Sequence, residues 1–289
     1  MLVINYCLLL LPLLLSTTIV PAAAQSAAEP LRVMSYNLRL DIASDGPDRW
    51  PLRRERVAGL IRYHQPQLLG VQEALRHQLQ DLQEALPHYK WYGRGRDDGA
   101  EGGEFSAILY DTRRFNLLDS GTFWLSPTPN TPGKGWDAAY PRICSWARFR
   151  DRQSGRELYH FNTHFDHVGV EAREQSARLL ARKISEIAAS HPAILSGDFN
   201  TTADTKAYAN LLAGGLLQEA RSLSRTPPYG PEGSFSTFDV ANELGKLIDF
   251  IFVSNAFSVQ QHAILTDAQG GKYPSDHLPV LAVLEWRLP

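Results

Sequence analysis

Acidic, amide and imidazole side chains stand directly beside apolar stretches at six places in this sequence. A carboxylate inside an apolar run, such as Asp249 within residues 247–253, is costly to bury unless it is paired or ligated. Each place taken alone also fits an ordinary turn or helix cap, but the six together favour one shared site. They are Tyr36-Asn37, Gln72-Glu73, Asn162 to Asp166, Gly197 to Asn200, Asp249, and Ser275 to His277.

These residue types suit the hydrolysis of a phosphate ester. Carboxylate and amide oxygens are the ligands that Mg²⁺, Mn²⁺ and Ca²⁺ prefer, and they are offered here by Glu73, Asp249, Asp276, Asn37 and Asn200. A divalent ion offsets the charge that develops on the phosphate, and a polarised water attacks phosphorus.

Histidine and cysteine usage narrows the chemistry further. His164 and His277 are the imidazoles best placed for proton transfer, whereas His160, His167 and His191 are expected to be ordinary core or solvent histidines. Cys144 is the sole cysteine after residue 24, and its alternating context predicts a buried strand residue rather than a nucleophile. The scarcity of cysteine therefore argues against a thiolate zinc site.

The elements that must position these groups are strands and helices in mixed order. This order predicts an α/β fold with helices packed outside two apposed sheets, and with the polar clusters at strand ends. Surface loops are expected at 94–104, 126–136 and 227–234. The predicted strands are 31–40, 67–71, 105–110, 115–124, 143–150, 157–164, 193–195, 247–253, 257–265 and 280–286, and the predicted helices are 52–63, 77–86 and 170–189.

The clusters, in this order and spacing, resemble the endonuclease/exonuclease/phosphatase superfamily, whose best-known fold is that of deoxyribonuclease I. The most specific motifs are GDFN at 197–200 and SDH at 275–277, and the resemblance runs from MSYNLR at 34–39 to SDHLPV at 275–280. TFWLS at 122–126 and the following GWDAA and PR are similar to a bacterial exported branch. The resemblance implies a four-layer αββα sandwich of two mixed sheets flanked by helices.

The resemblance also implies a metal site and a water-activating group. Asn37 and Glu73 would hold Mg²⁺ or Mn²⁺, with Ca²⁺ as a further candidate, and Glu73 would be the direct ligand. Asp276 would lie near the ion and pair with His277. Asp198 would orient or deprotonate the attacking water, and the choice of general base between Asp198 and His277 stays open.

The remaining implied roles concern the phosphoryl group and the leaving group. Asn200 would hydrogen-bond a phosphoryl oxygen. Asp249 would position His164, which would act as general acid or as a transition-state contact. Arg142 resembles a substrate-facing arginine.

Residues 1–24 carry no charged side chain, and their apolar stretch 8–15 precedes three alanines at 22–24. This pattern is typical of a cleaved signal peptide. The alternative, an uncleaved membrane anchor, is disfavoured by the short apolar run and by Pro12 and Pro21. We therefore expect a secreted or periplasmic monomer without a stable membrane span, in which residues 25–289 form one catalytic domain.

The net charge and the distribution of arginines limit which substrates the protein could bind. With 29 Lys and Arg against 31 Asp and Glu, the net charge of −2 argues against a broadly basic nucleic-acid coat. Arginines cluster at 49, 53, 54 and 56 and again at 94 and 96, and they predict either a phosphate track or the wet face of a helix. Trp124, Trp136 and Tyr140 fit stacking on a base or sugar as well as packing.

We expect a small, sugar-linked or lipid-linked phosphoester as the substrate. The alternatives are a secreted endonuclease or exonuclease acting on DNA or RNA, and a non-catalytic exported binding protein on the same fold. A glycosidase built on paired carboxylates fits the histidine and amide content poorly.

Overall fold

The computed structural model describes residues 2–4 and 29–287, so nearly all of the predicted signal peptide lies outside the described residues. Within the described part, no helix is long and apolar enough to cross a membrane. The strands are β1 (Leu31–Asn37), β2 (Leu68–Ala74), β3 (Tyr89–Tyr92), β4 (Phe105–Asp111), β5 (Phe115–Trp124), β6 (Ile143–Asp151), β7 (Glu157–His164), β8 (Ala193–Asp198), β9 (Gln218–Glu219), β10 (Asp249–Val253), β11 (Phe257–Ile264) and β12 (Val280–Trp286). The helices are α1 (Trp50–His64), α2 (Arg76–Ala85), α3 (Val170–Ala188), α4 (Lys206–Leu212) and α5 (Ala220–Leu223), and a 3-10 helix covers Ala43–Asp48.

Two six-stranded mixed sheets form the centre of the molecule. The first has the order β11-β12-β1-β2-β4-β3 and the second the order β5-β6-β7-β8-β10-β9. In each sheet one central pair is parallel, β1 with β2 and β7 with β8, and the other pairs are antiparallel. The deoxyribonuclease I-like sandwich implied by the sequence is thereby confirmed.

Three apolar layers hold the sandwich together. The middle layer joins side chains of both sheets, for example Val33 and Ile108 with Phe149 and Ile194. One outer layer packs α1 and α2 on the first sheet, and the other packs α3 and α4 on the second. Because the central strands are covered on both faces, they read as nearly continuous apolar runs rather than as alternating ones.

The topology brings the polar clusters to one edge of the sandwich. The parallel strands β1, β2, β7 and β8 end at or beside Asn37, Glu73, His164 and Asp198. Antiparallel β10 begins with Asp249, which lies in register with Asp198. Because the carboxyl ends of parallel strands share one edge with the start of an antiparallel neighbour, residues far apart in sequence meet there.

Most predicted elements are found, with shifted ends. The strand expected at 247–253 begins only at Asp249, and the strand expected at 193–195 runs on to Asp198. The sequence analysis did not anticipate β3, α4, β9 and α5, which have four, seven, two and four residues. Elements this short have too few residues to show a period. Cys144 is buried and unpaired in β6, as predicted.

Candidate active site

An open cleft of about 540 Å³ lies at this edge of the sandwich. Of the nine predicted site residues, seven line it, and Asn37 and Asp249 lie buried beneath them. The structure thus brings all nine together. The lining consists of Arg39, Leu40, Ile42, Glu73, Arg96, Glu104, Tyr140, Arg142, His164, His167, Asp198, Asn200, Phe235, Ile248, Asp276 and His277.

Asn37 joins carboxylates from the two sheets. Its amide nitrogen donates to Glu73 Oε1 and to Asp198 Oδ2, each at 3.0 Å. Its oxygen accepts from the backbone N–H of Arg39 at 2.9 Å, and the backbone N–H of Leu40 donates to Glu73 Oε2 at 3.2 Å. Asn37 therefore fixes the orientation of Glu73 and turns its own amide nitrogen, rather than its oxygen, toward the carboxylates.

His277 is held by Asp249, which corrects two expectations. Its Nδ1 donates to Asp249 Oδ2 at 2.8 Å, and Ser234 donates to the same oxygen at 2.6 Å. Asp249 was expected to position His164, and Asp276 was expected to pair with His277. The sequence could not identify Asp249 as the partner of His277, because β10 and the 275–277 segment are far apart along the chain and are brought together only by the order of strands in the sheets.

The environment of His277 favours its charged form. Burial opposes protonation, but the carboxylates of Asp249 and Asp198 outweigh it and raise the pKa of His277 well above its ordinary value. Asp198 Oδ2 lies 3.8 Å from His277 Nε2. The imidazolium therefore points its second N–H toward Asp198 and the cleft.

His164 has the opposite character. Its Nδ1 faces Arg142 Nη1 at 3.1 Å, and a guanidinium can only donate, so the ring proton resides on Nε2. Nε2–H can donate to Asp198 Oδ2 at 3.4 Å. The Asn200 amide nitrogen, 3.0 Å away, is itself a donor that bonds the Phe165 carbonyl, so it cannot accept this proton. Burial, together with the positive charges of Arg142 and Arg96, holds the pKa of His164 well below its usual value. His164 is therefore a neutral hydrogen-bond donor.

Burial dominates the ionisation of two carboxylates at the base of the cleft, although cations lie close by: Arg39 Nε is 3.7 Å from Asp276 Oδ2 and His277 Nε2 is 3.8 Å from Asp198 Oδ2. Burial, reinforced by the charge of Asp249, raises the pKa of Asp198 to about 7. Burial also raises the pKa of Asp276 to about 6, with a further contribution from Glu73. Among the described residues, Asp249 Oδ1 is a buried oxygen without a hydrogen-bond donor.

A divalent cation fits this set of donors. Carboxylate oxygens of Glu73 and Asp198 lie within 4.8 Å of each other at the base of the cleft. His164 lies beside them, but its Nδ1 accepts from Arg142 and its Nε2 carries the proton, so it offers no free lone pair to an ion. Asp198 and Asp249 bring a second pair of carboxylate oxygens together, beside the protonated His277, which cannot act as a ligand. Oxygen donors dominate both groups, which is the composition that suits a hard ion.

One wall of the cleft was found only in part from the sequence, which suggested Tyr140 for stacking and Arg96 for a phosphate track but assigned neither Glu104 nor His167 to the site. Arg96 pairs with Glu104 at 2.7 Å and lies over the ring of Tyr140, 4.9 Å from its centroid. Tyr140 stacks on His167, whose Nδ1 accepts from Arg142 Nη2 at 3.0 Å. His167 was expected to be an ordinary histidine. Its position three residues after His164, the end of β7, was the available signal.

The fold and this cleft define a deoxyribonuclease I-like sandwich with an acidic and histidine-rich site at one edge. The chain matches the model of the Endonuclease/Exonuclease/phosphatase family over residues 34–277, and it belongs to that family.

Several known proteins are similar along nearly the whole chain. An endonuclease/exonuclease/phosphatase family protein of Bacteroides thetaiotaomicron is 42% identical, with 90% of this chain and 98% of that chain covered and a TM-score of 0.86. A mannosyl-6-phosphatase of the same organism is 41% identical, with 89% and 100% covered and a TM-score of 0.86. An uncharacterized protein of Acanthamoeba polyphaga mimivirus is 27% identical over 252 residues, which are 82% of this chain and 92% of the viral protein.

Proposed function

We propose that this protein is a divalent-metal-dependent hydrolase of phosphate esters. The observation that carries the proposal is the convergence on one cleft of the Glu73, Asp198 and Asp276 carboxylates with two imidazoles of opposite character, His164 and His277. A non-catalytic binding protein would not require His164 to be neutral and His277 to be charged within reach of the same carboxylate, Asp198. Membership of a family that includes phosphatases agrees with this function.

Glu73 and Asp276 are the proposed ligands of Mg²⁺ or Mn²⁺, with Asn37 holding Glu73 in place. Both carboxylates line the cleft, and the buried Asn37 donates to Glu73 Oε1. When bound, the ion would offset negative charge on the phosphoryl oxygens and so assist attack by water. Ca²⁺ has the same preference for oxygen ligands and remains a third candidate ion.

The protein groups divide the remaining work. Asp198 is the proposed general base, because it is a carboxylate with a pKa of about 7, close to the value that suits proton removal at neutral pH. His277 already carries its proton and would therefore contact a phosphoryl oxygen as a cation. His164 Nε2–H and the Asn200 amide would donate hydrogen bonds to the transition state.

A phosphomonoester of a sugar is the proposed substrate class. The 41% identical mannosyl-6-phosphatase supports a sugar phosphate. Tyr140 on the cleft wall is half-exposed, so the part of its side chain left open by Arg96 and His167 can contact a sugar. Arg142 retains one unused N–H on each Nη after its bonds to His164 and His167, which leaves donors for an anionic or hydroxyl group.

Four of the six arginines considered for a nucleic-acid track are paired with carboxylates or buried. Arg49 pairs with Asp41 at 3.1 Å, Arg54 with Asp81 at 3.5 Å, and Arg96 with Glu104 at 2.7 Å. Arg53 is buried. Because these charges are neutralised or inaccessible, they contribute little to binding a phosphate backbone, and the nuclease alternative is disfavoured.

The test is a phosphoester panel that contains mannose 6-phosphate, other sugar phosphates, bis-p-nitrophenyl phosphate and a DNA oligomer, each with Mg²⁺ or Mn²⁺. We expect turnover of sugar phosphates that EDTA abolishes and added metal restores. Glu73→Gln should lower kcat by about 10³-fold or more, since it removes a metal ligand. Glu55→Gln, on the exposed face of α1, is the matched control. Full activity of Glu73→Gln in EDTA would refute the metal-dependent mechanism.

We further propose export to the periplasm or the medium, with cleavage after Ala24. The support is the uncharged, apolar composition of residues 1–24. N-terminal sequencing of the protein recovered outside the cytoplasm should begin at Gln25. Recovery of the full-length chain from the membrane fraction would contradict this expectation.

A further inference from the structure

Arg53 is a fully buried arginine that points from α1 toward the metal-binding edge. Its relative exposure is 0%, although its neighbour Arg54 has a side chain 49% exposed. Each hydrogen bond that Arg53 donates within the described part goes to a backbone carbonyl oxygen. The acceptors are Asp48 at 2.8 Å from Nε, Leu38 and Pro274 (3.1 Å) from Nη1, and Arg39 at 2.6 Å from Nη2.

Two of these carbonyls belong to peptide groups whose N–H ends hold the site. The Leu38 carbonyl shares its peptide with the N–H of Arg39, which donates to Asn37 Oδ1 at 2.9 Å. The Arg39 carbonyl shares its peptide with the N–H of Leu40, which donates to Glu73 Oε2 at 3.2 Å. The guanidinium of Arg53 therefore donates to the carbonyl oxygens of two peptide groups. The N–H groups of the same two peptides donate to the side chains of Asn37 and Glu73.

A third contact reaches the other side of the site. The Pro274 carbonyl precedes Ser275 and Asp276, so Arg53 ties the segment after β1 to the segment that carries Asp276. Ser275 reinforces this tie, since its hydroxyl donates to the Asn37 carbonyl at 2.7 Å. The planar fork of a guanidinium can span such carbonyls together, whereas the single ammonium of lysine cannot.

We propose that Arg53 is a positioning residue of the metal site, which acts on Asn37 and Glu73 through two peptide groups. Hydrogen bonds in such a chain polarise one another, so the charge of Arg53 strengthens the grip of each N–H on its acceptor. The consequence is that Glu73 has both oxygens fixed, one by Leu40 N–H and the other by Asn37, before any ion arrives. The inference rests on the proposed metal site.

A positioning role and a purely electrostatic role of Arg53 predict opposite effects of its removal on cation affinity. Arg53 is a positive charge close enough to influence Asp276, so removing it would favour a cation at this edge if charge alone mattered. If Arg53 acts by positioning, its removal frees Asn37 and Glu73 and weakens cation binding. Loss of a group that orients metal ligands typically costs about 10–100-fold in affinity.

The test is a direct titration of the whole protein with Mn²⁺ in the absence of substrate. The concentration of free Mn²⁺ is measured at each step from its electron paramagnetic resonance signal. We expect Arg53→Met and Arg53→Lys to bind Mn²⁺ about tenfold or more weakly than the wild type. The measurement is made at a temperature where circular dichroism shows each variant folded, and Arg53→Lys serves if Arg53→Met does not fold.

Two control variants separate positioning from general instability. Arg54→Met changes the adjacent, exposed arginine, and Asp151→Asn breaks a buried ion pair on another part of the fold. Both should keep wild-type Mn²⁺ affinity. Unchanged or tighter Mn²⁺ binding by the folded Arg53 variants would overturn the proposal. A wild type that binds no Mn²⁺ would instead refute the metal site itself.

Discussion

Replacing Asp249 by asparagine changes one buried charge at the site with almost no change in volume. The carboxylate accepts 2.8 and 2.6 Å hydrogen bonds from His277 Nδ1 and Ser234 Oγ, and the His277 and Asp249 side chains are 5% and 1% exposed. An asparagine oxygen can accept the same two bonds. What disappears is the negative charge that keeps His277 protonated.

The size of the effect follows from the geometry. At an effective dielectric constant of about 20, unit charges separated by 2.8 Å attract by about 6 kcal/mol, and removing one partner of a buried ion pair typically costs about 3–5 kcal/mol. If about 3–5 kcal/mol of this is lost when charge develops on the phosphate, kcat falls by about 10²–10⁴-fold, because 1.4 kcal/mol corresponds to tenfold. The variant should fold, since no cavity is made.

The pH dependence has a definite sign. The pKa of His277 is raised in the folded protein, so the pair contributes its full stability below about pH 6.5 and loses it as pH rises through the raised value. The stability gap between wild type and Asp249→Asn should therefore narrow toward alkaline pH. It is measured by thermal unfolding across a pH series.

The assay combines kcat at saturating metal with ¹⁵N resonances of the histidine rings. At pH 7.5 the His277 ring should be doubly protonated in the wild type and neutral in Asp249→Asn. Asp267→Asn is the matched control, since Asp267 pairs with His64 Nε2 at 3.1 Å but is 39% exposed. A doubly protonated His277 ring in the Asp249→Asn variant, or a kcat within threefold of wild type, would refute the reasoning.

Two further substitutions test the fold that carries the site. A methyl group at Gly70 would overlap the Ser196 hydroxyl and the Asn162 carboxamide. Gly70→Ala should therefore lower the free energy of unfolding by about 1–3 kcal/mol. Gly59→Ala is the control and should not lower it, because the nearest atom to a methyl group there is 3.9 Å away. Asp151→Asn removes one partner of a buried ion pair with Arg114 (2.6 Å) and should cost about 3–5 kcal/mol at pH 7 in urea unfolding. Burial acts to raise the pKa of Asp151, but Arg114 and further donors lower it overall, so this difference should be present above about pH 4 and shrink as pH falls; an equal cost at pH 3 would contradict the assignment.

Much of the site was predictable because its residues sit at the ends of buried central strands. Short motifs such as GDFN keep an acidic group next to an apolar run, and the unfavourable burial of that group marks it in the sequence. The partner of each group was less accessible. Asp249 was assigned to His164 instead of His277, because pairing depends on strand order, which local patterns do not encode.

Arg53 shows a different kind of error. It was grouped with Arg54 and Arg56 as a phosphate track or an exposed helix face. Yet Trp50, Arg53, Val57 and Ile61 are spaced by three or four residues and are all buried. The helical period thus placed Arg53 on the core face of α1, and only its charge suggested that it lies on the solvent-exposed face. Arg96, Glu104 and Tyr140 lie in long loops, where no period constrains the position of a side chain.

Backbone strain explains how the strand ends deliver their side chains into the cleft. Arg39, Glu73 and Asn200 have φ values of 56°, 60° and 47°, in the left-handed region, and each follows or ends a central strand. Such a conformation costs about 1–3 kcal/mol for a residue with a Cβ. Gln72 bonds Asn162 of the opposite sheet, so strict alternation would turn Glu73 away from that sheet.

The strained turn at Glu73 accompanies a register shift between Val71 and Ala74, and it brings the carboxylate back to Asn37. Glycine would relieve the strain at all three positions, but it would remove Glu73 as a ligand, Asn200 as a donor and the Arg39 ion pair with Asp45. The hydrogen bonds that Arg53 and Asn37 make on either side of Arg39 hold one of these turns in place. The strained backbone at the strand ends therefore lowers stability, and the same conformation places the side chains where the proposed chemistry needs them.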